Sequence, residues 1–99
     1  MKNTITLLDG RRMVCRIFDT GPDGPMDRYT AMFKGYRPYH GKIVYPYIAS
    51  SDHPFHPQGF GQHGESHQFM TGKGLGKRVS FESVPDDVKR FILDQFKPL

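Results

Sequence analysis

Four of the five histidines, His53, His56, His63 and His67, fall in one stretch, Ser51 to His67, beside the carboxylates of Asp52 and Glu65 and the carboxamides of Gln58 and Gln62. Three kinds of chemistry draw on such a set. Neutral imidazoles with a carboxylate are the donors that zinc and related metals take. His56, His63 and His67, with Glu65, are the candidate ligands, provided that Gly59, Gly61 and Gly64 fold the segment back on itself. The spacing His-x2-His-x6-His-x3-His matches no established ligand signature and no thiolate is near, so no cofactor is assigned and a metal is a minor alternative. General acid–base catalysis needs at least a histidine and a carboxylate that orients it. His63 with Glu65, assisted by Asp27 or Asp52, is that minimum, although no nucleophile elbow or Ser-His-Asp pattern accompanies it. The third use is recognition. Phe55 and Phe60 would be apolar anchors, with His53, His56, Gln58, Gln62, His63 and Glu65 as adaptable hydrogen-bonding groups. Pro54 and Pro57 would limit the entropy lost when a partner binds. The plainer role for either phenylalanine is to tuck into the core and staple a long loop.

A second signal is basic. Gly72 to Arg78 (Gly-Lys-Gly-Leu-Gly-Lys-Arg) suggests a phosphate cradle, but a Walker A loop needs Gly-Lys followed by Ser or Thr and then a helix. Here Gly74 follows Lys73 and the chain leads into β-forming residues. Lys73, Lys77 and Arg78, with Arg11, Arg12, Lys34, Arg37 and Lys42, are candidate phosphate contacts, and Tyr36 and Tyr39 candidate stacking partners for bases. Fourteen Lys and Arg against ten Asp and Glu give a net charge of +4, a weak bias towards polyanions whose ordinary meaning is a solvated surface.

The elements that must position these groups are readable from period and punctuation. Ile5, Leu7 and Leu8, then Asp9-Gly10, then Met13 to Phe18 indicate two strands joined by a tight Asp-Gly turn. Thr20 to Pro25 has the torsions of an exposed loop. Arg28 to Lys34 alternates, with Tyr29, Ala31 and Phe33 on one side and Arg28, Thr30, Met32 and Lys34 on the other, as in a strand. Asp27 and Arg28 at its head suit an ion pair that orders the preceding loop. Lys42 to Ser50 is again β-forming, but Pro46 cannot donate to a ladder and predicts an edge strand or a break there. Such an edge around Tyr45 to Ile48 would allow pairing with a second copy. Ser51 to Gly76 is rich in Gly, Pro and His without periodicity and predicts a long loop. Lys77 to Phe81 is a short strand. A helix follows, with Ser83 as N-cap, Pro85 in the first turn and Asp86 completing a capping box. Val84, Val88, Phe91, Ile92 and Phe96 recur at helical spacing, which leaves Asp87, Lys89, Arg90 and Asp94 facing water, and Pro98 stops it.

Ninety-nine residues leave room for one core, so residues 1–99 are expected to form a single domain. The expected architecture is α+β: a small antiparallel sheet, one C-terminal helix packed on it and a long Gly/Pro/His-rich loop. Thirteen Phe and Tyr residues and no Trp make rings the main source of buried area. Cys15, the single cysteine, sits in an apolar alternation and reads as a small buried hydrophobe with no intrachain disulfide to form. Neither a signal peptide nor an apolar run of membrane-spanning length is present, which places the chain in the cytoplasm, with no membrane partner.

The segments Asp27-Arg28-Tyr29-Thr30, Pro54 to Glu65 (Pro-Phe-His-Pro-Gln-Gly-Phe-Gly-Gln-His-Gly-Glu) and Leu75-Gly76-Lys77-Arg78 resemble those of small proteins encoded by bacteriophages, prophages and plasmids. The likeness runs over roughly residues 16 to 90. The group carries no assigned activity, substrate or cofactor. What the resemblance implies is an accessory protein in a bacterial host cell that binds a host or phage macromolecule, an inhibitor of host defence among the options. The leading expectation is therefore binding through residues 52–67. A small metal-dependent or His/Glu hydrolase of nuclease type using the same segment is the alternative, and a nucleic-acid-binding protein is a further one.

Overall fold

The computed structural model describes residues 4–21, 28–34, 37–39, 42–51, 54–55, 61–66 and 76–96. Among them are seven strands and one helix. The strands are β1 (Thr4–Thr6), β2 (Arg12–Asp19), β3 (Tyr29–Phe33), β4 (Arg37–Tyr39), β5 (Lys42–Ser50), β6 (Gly61–Ser66) and β7 (Lys77–Val79), and the helix is α1 (Asp86–Gln95). Every pairing is antiparallel. The architecture is the expected α+β one, a small antiparallel sheet with a C-terminal helix on it.

The β1–β2 hairpin forms where alternation and the Asp-Gly pair put it. The Leu7 N–H donates to the Arg11 carbonyl at 2.7 Å and the Gly10 N–H to that of Leu7 at 3.0 Å. Gly10 has φ +88°, so the tip is a three-residue loop whose last residue takes the left-handed torsion that glycine adopts without cost. Asp9 braces this tip by accepting the Arg11 N–H at 3.0 Å and its Nε at 2.8 Å.

Two long strands organise the rest. β3 and β7 both pair with residues 17–19 of β2, so they must lie on its opposite edges. By the same argument β3 and β6 flank β5, since both pair with residues 47–50. The central order is therefore β7-β2-β3-β5-β6. This corrects the expectation of an edge or a break at Pro46, and with it the idea that Tyr45 to Ile48 offers a free edge to a second copy: β5 is continuous and interior. The proline is tolerated because Tyr45 and Pro46 fall between the end of pairing with β3 at Tyr47 and the start of pairing with β4 at Val44. No β3 or β4 residue is in register with it there.

The expected alternation of β3 is overtaken by its position. All five residues from Tyr29 to Phe33 are buried, including Thr30 and Met32 on the side opposite Ala31. A central strand covered on both faces reads as a continuous buried run.

The 51–76 segment departs most from expectation, because β6 lies inside it. Gly-Gln-His-Gly-Glu-Ser contains no β-branched or aromatic residue, so nothing in its propensity marks a strand. Its partners make it one. A Cβ on Gly61 would overlap the Phe91 ring, and one on Gly64 would overlap the end of Tyr47. Absent side chains at these two positions let neighbouring rings lie across the strand, compensating for what glycine itself cannot bury.

Val88 and Ile92 of α1 are buried at 0 and 1% exposure, with Phe91 and Phe96 nearly so. They meet Ile17, Ala31, Phe33 and Ile48 from the sheet in one cluster. The stripe is as read from the sequence, whereas the N-terminus is not. Ser83 belongs to a 3-10 turn (Phe81–Ser83), donating its Oγ to the Ser80 carbonyl at 2.8 Å. Pro85 is the cap residue of α1, and its carbonyl accepts the Lys89 N–H at 3.0 Å. The serine hydroxyl is thus committed one turn too early to cap the helix. Cys15 is buried at 4% exposure, and burial pushes its thiol well above the ordinary range, which fits an inert packing role.

Candidate functional site

Within the 52–67 segment the clearest construction is around Phe55. Its ring meets Phe91 edge-on, with centroids 5.9 Å apart and planes at 76°. The Arg90 guanidinium lies over its face, 4.2 Å from the centroid. Phe55 nevertheless keeps 44% of its surface exposed. The ring thus lies against α1 without being tucked into the core. The helix supplies the arrangement because adjacent residues point about 100° apart around its axis. Phe91 turns inward over Gly61 while Arg90 turns out, its side chain 62% exposed and 3.7 Å from Asp87. Gly61 and Gln62 at the start of β6 are themselves exposed.

The other candidate residues divide as follows. His63 and Glu65 occupy alternate positions in β6, opposite Ile48 and Pro46 of β5. Gln62 stands opposite Ala49. His53, His56, Gln58, Phe60, His67, Asp27 and Asp52 lie outside the described residues, so the proposed ligand set of His56, His63 and His67 and the proposed catalytic set of His63, Glu65 and Asp27 are represented only by strand positions. Among the described residues there is no group of three or more His, Cys, Asp or Glu placed to hold a metal ion.

Three residues at or near this site carried no signal that the sequence reading used. Arg90 was expected only to face water, and its place over Phe55 depends on where the segment docks. Ser50, in register with Gly61, is 1% exposed and its Oγ has no hydrogen-bond partner among the described residues. The third is Asp19. Arg28 forms a forked pair with Asp19, Nε to Oδ1 at 2.8 Å and Nη2 to Oδ2 at 3.2 Å, whereas the expected pair of Asp27 with Arg28 lies outside the described residues. Asp19 Oδ1 also accepts the Gly21 N–H at 2.8 Å, and Lys77 is in register with Asp19 across β7. This forked pair clasps the two ends of the 20–28 segment.

The Arg28 hydrogen bonds, then the Gly21 N–H and the charges of Arg28 and Lys77, hold the Asp19 carboxyl below its ordinary value of 3.8, against a smaller opposing effect of burial. A carboxyl whose folded value is depressed contributes stability above its unfolded value and loses it as the pH falls through the folded one. Asp19→Asn is therefore expected to lower stability near neutral pH by about 1.5–3 kcal/mol. The gap from wild type should narrow as the pH falls below about 4 and close only below the depressed folded value. Urea unfolding at both pH values checks this, and a gap that persists in acid would exclude the carboxylate as the cause.

Of the candidate phosphate-binding residues, Arg11, Arg12, Lys77 and Arg78 are placed by the hairpin and by β7. Arg11 and Arg12 sit at the hairpin tip, where Arg11 pairs with Asp9 and Arg12 Nη2 donates to Thr4 Oγ1 at 2.9 Å. Lys77 and Arg78 pair with the far end of β2, opposite Asp19 and Phe18. Six residues of strand separate Arg12 from Phe18, about 20 Å. Lys73 lies outside the described residues. Among the described residues no helix is long and apolar enough to cross a membrane. No protein-family model, curated protein or solved structure matches the chain, so the site rests on its own residues.

Proposed function

We propose that the chain is a small accessory protein of phage or mobile-element type that acts in the bacterial cytoplasm by binding a host or phage protein. The binding surface is the 52–67 segment with the part of α1 seated against it. The observation that carries this reading is Phe55, which is held by Phe91 and Arg90 yet 44% exposed. A ring already pinned in place loses little freedom when a partner covers it, and aromatic and arginine side chains dominate the energetics of protein interfaces.

The test is quantitative recovery of binding partners from host cells with and without phage, using tagged wild type, Phe55→Ser, Arg90→Ser and, as a surface control, Leu8→Ser. The expected result is a protein recovered with wild type and Leu8→Ser and reduced at least about tenfold with the other two, the loss of one interface anchor worth about 1.4 kcal/mol or more. Equal recovery with all four would show that this surface is not the one used.

A further inference from the structure

A surface built on Phe55 and α1 leaves open which chemical group of a partner it selects, and the chain contains an internal comparison that bears on the choice. Two arginines lie over aromatic rings. Arg28 has its guanidinium carbon 5.0 Å from the centroid of Tyr29, and its N–H fork is filled by the Asp19 carboxylate at 2.8 and 3.2 Å. Arg90 has its guanidinium carbon 4.2 Å from the centroid of Phe55, and among the described residues no carboxylate fills its fork. Asp87 stands nearest: its Oδ1 is 3.7 Å from Arg90 Nη2, beyond hydrogen-bonding distance, and the two side chains are 50% and 62% exposed. An exposed ion pair between neighbouring turns of one helix contributes little and is easily exchanged for a better one. The same composite of ring and guanidinium thus occurs twice, once with its carboxylate in place and once with only a loose substitute.

We propose that Arg90 is the specificity residue of this surface: its fork takes an Asp or Glu carboxylate of the partner protein in place of Asp87, while an apolar side chain beside that carboxylate covers the exposed part of the Phe55 ring. A guanidinium over a ring face still has its N–H groups to donate, as Arg28 does to Asp19. Contact with the ring also restricts the arginine before the partner arrives, so less side-chain freedom is lost when the forked bonds form. Local charge favours one carboxylate over a polyanion. The charged residues of α1 are Asp86, Asp87, Lys89, Arg90 and Asp94, so acidic groups outnumber basic ones along the helix. A nucleic-acid backbone laid there would set successive phosphates against Asp86 and Asp87. Asp87 acquires a definite sign in this arrangement, since it competes for Arg90 and repels the incoming carboxylate. Its removal strengthens binding.

The inference rests on the binding reading, and its test can fail separately. The full chain is used to select from a displayed library of random peptides, and peptides that bind wild type but not Phe55→Ser are resynthesised with each Asp or Glu replaced by its carboxamide. The expected result is enrichment of peptides with an acidic residue next to an apolar one, whose affinity for wild type falls at least about tenfold when that carboxylate becomes a carboxamide. On Arg90→Gln the same replacement should cost less than about twofold, because the two changes remove one interaction. Arg90→Lys, which keeps the charge and loses the fork, should bind at least about fivefold more weakly than wild type. Asp87→Asn should bind about two- to fivefold more tightly. A carboxamide cost that survives in Arg90→Gln, Arg90→Lys as tight as wild type, weaker binding by Asp87→Asn, or selection of basic or uncharged peptides would each overturn the assignment. So would displacement of the peptide by an oligothymidine, since the surface would then accept a polyanion. If the carboxamide peptides bind as well as their parents while Phe55→Ser still loses its cellular partner, the binding reading stands without this selectivity. If Phe55→Ser keeps that partner, the surface itself is wrongly assigned.

Discussion

Replacing Phe33 with alanine is expected to lower the free energy of unfolding by about 3–5 kcal/mol, the range for a fully buried aromatic truncated in a core. Phe33 is 0% exposed at the end of β3, in register with Cys15 of β2. Its ring stacks on Phe96 with centroids 3.8 Å apart and planes at 14°. Phe96 sits just past the last turn of α1, its N–H donating to the Ile92 carbonyl at 3.1 Å. One ring therefore ties the middle of the sheet to the far end of the only helix among the described residues. A domain of this size has about 5–15 kcal/mol in total, so the variant would lose from about a fifth to all of it, with a fall in Tm of about 4–8 °C per kcal/mol. Leu8→Ala is the comparison, since Leu8 is 72% exposed at the hairpin tip and should stay within about 0.5 kcal/mol. Urea unfolding of both variants, followed by circular dichroism, decides the matter. A Phe33→Ala protein within about 1 kcal/mol of wild type would mean that the seam between β3 and the C-terminus of α1 does not carry the fold.

The parts of this fold that were legible in advance are those in which local pattern and tertiary role agree. Val88, Phe91, Ile92 and Phe96 recur at helical spacing and are all buried, and the Asp9-Gly10 tip needs one left-handed residue, which glycine provides. Illegible parts are those in which a distant neighbour decides. β6 is a strand because β5 offers an edge and because the rings of Tyr47 and Phe91 cover its glycines, and neither fact leaves a mark on the sequence of β6. Pro46 correctly signalled a position that cannot donate to a ladder, but a sequence cannot show that the partner on that side changes from β3 to β4 just there. Ser83 was a sound cap by residue type, lost to the 3-10 turn that uses its hydroxyl on Ser80. The candidate site follows the same division. Phe55 stood out in the sequence as a large ring among Gly, Pro and His, and it comes to lie against Phe91. Arg90 did not stand out, because its value depends on which ring comes to rest beneath it. The same holds for Asp19, whose pairing with Arg28 spans nine residues of chain.

The second large effect is expected at Gly76, immediately before β7. Its φ is +90°, and a Cβ placed there would overlap the Asp19 carbonyl oxygen and the Thr20 Cα, both backbone atoms. A side-chain neighbour can rotate away, but a strand held in a ladder on both edges cannot. Gly76→Ala is therefore expected to cost about 2–4 kcal/mol, combining the torsional penalty of a left-handed residue with displacement of packed backbone. Gly10 and Gly21 separate the two contributions, since they have φ of +88° and +91° but nothing within 4 Å of an added Cβ. Alanine at either should cost only the torsional part, about 1–2 kcal/mol. The excess at Gly76 should appear locally as well. β7 pairs with β2 through only three residues, so pushing its first turn away from Asp19 should release it and draw Lys77 from the Asp19 carboxylate. Amide exchange at Lys77 to Val79 should then accelerate more than at β3, and the acid-sensitive stability assigned to Asp19 should shrink in the same variant. If Gly76→Ala proves no worse than Gly10→Ala, the close approach of β7 to Asp19 is not a constraint that the folded chain must satisfy.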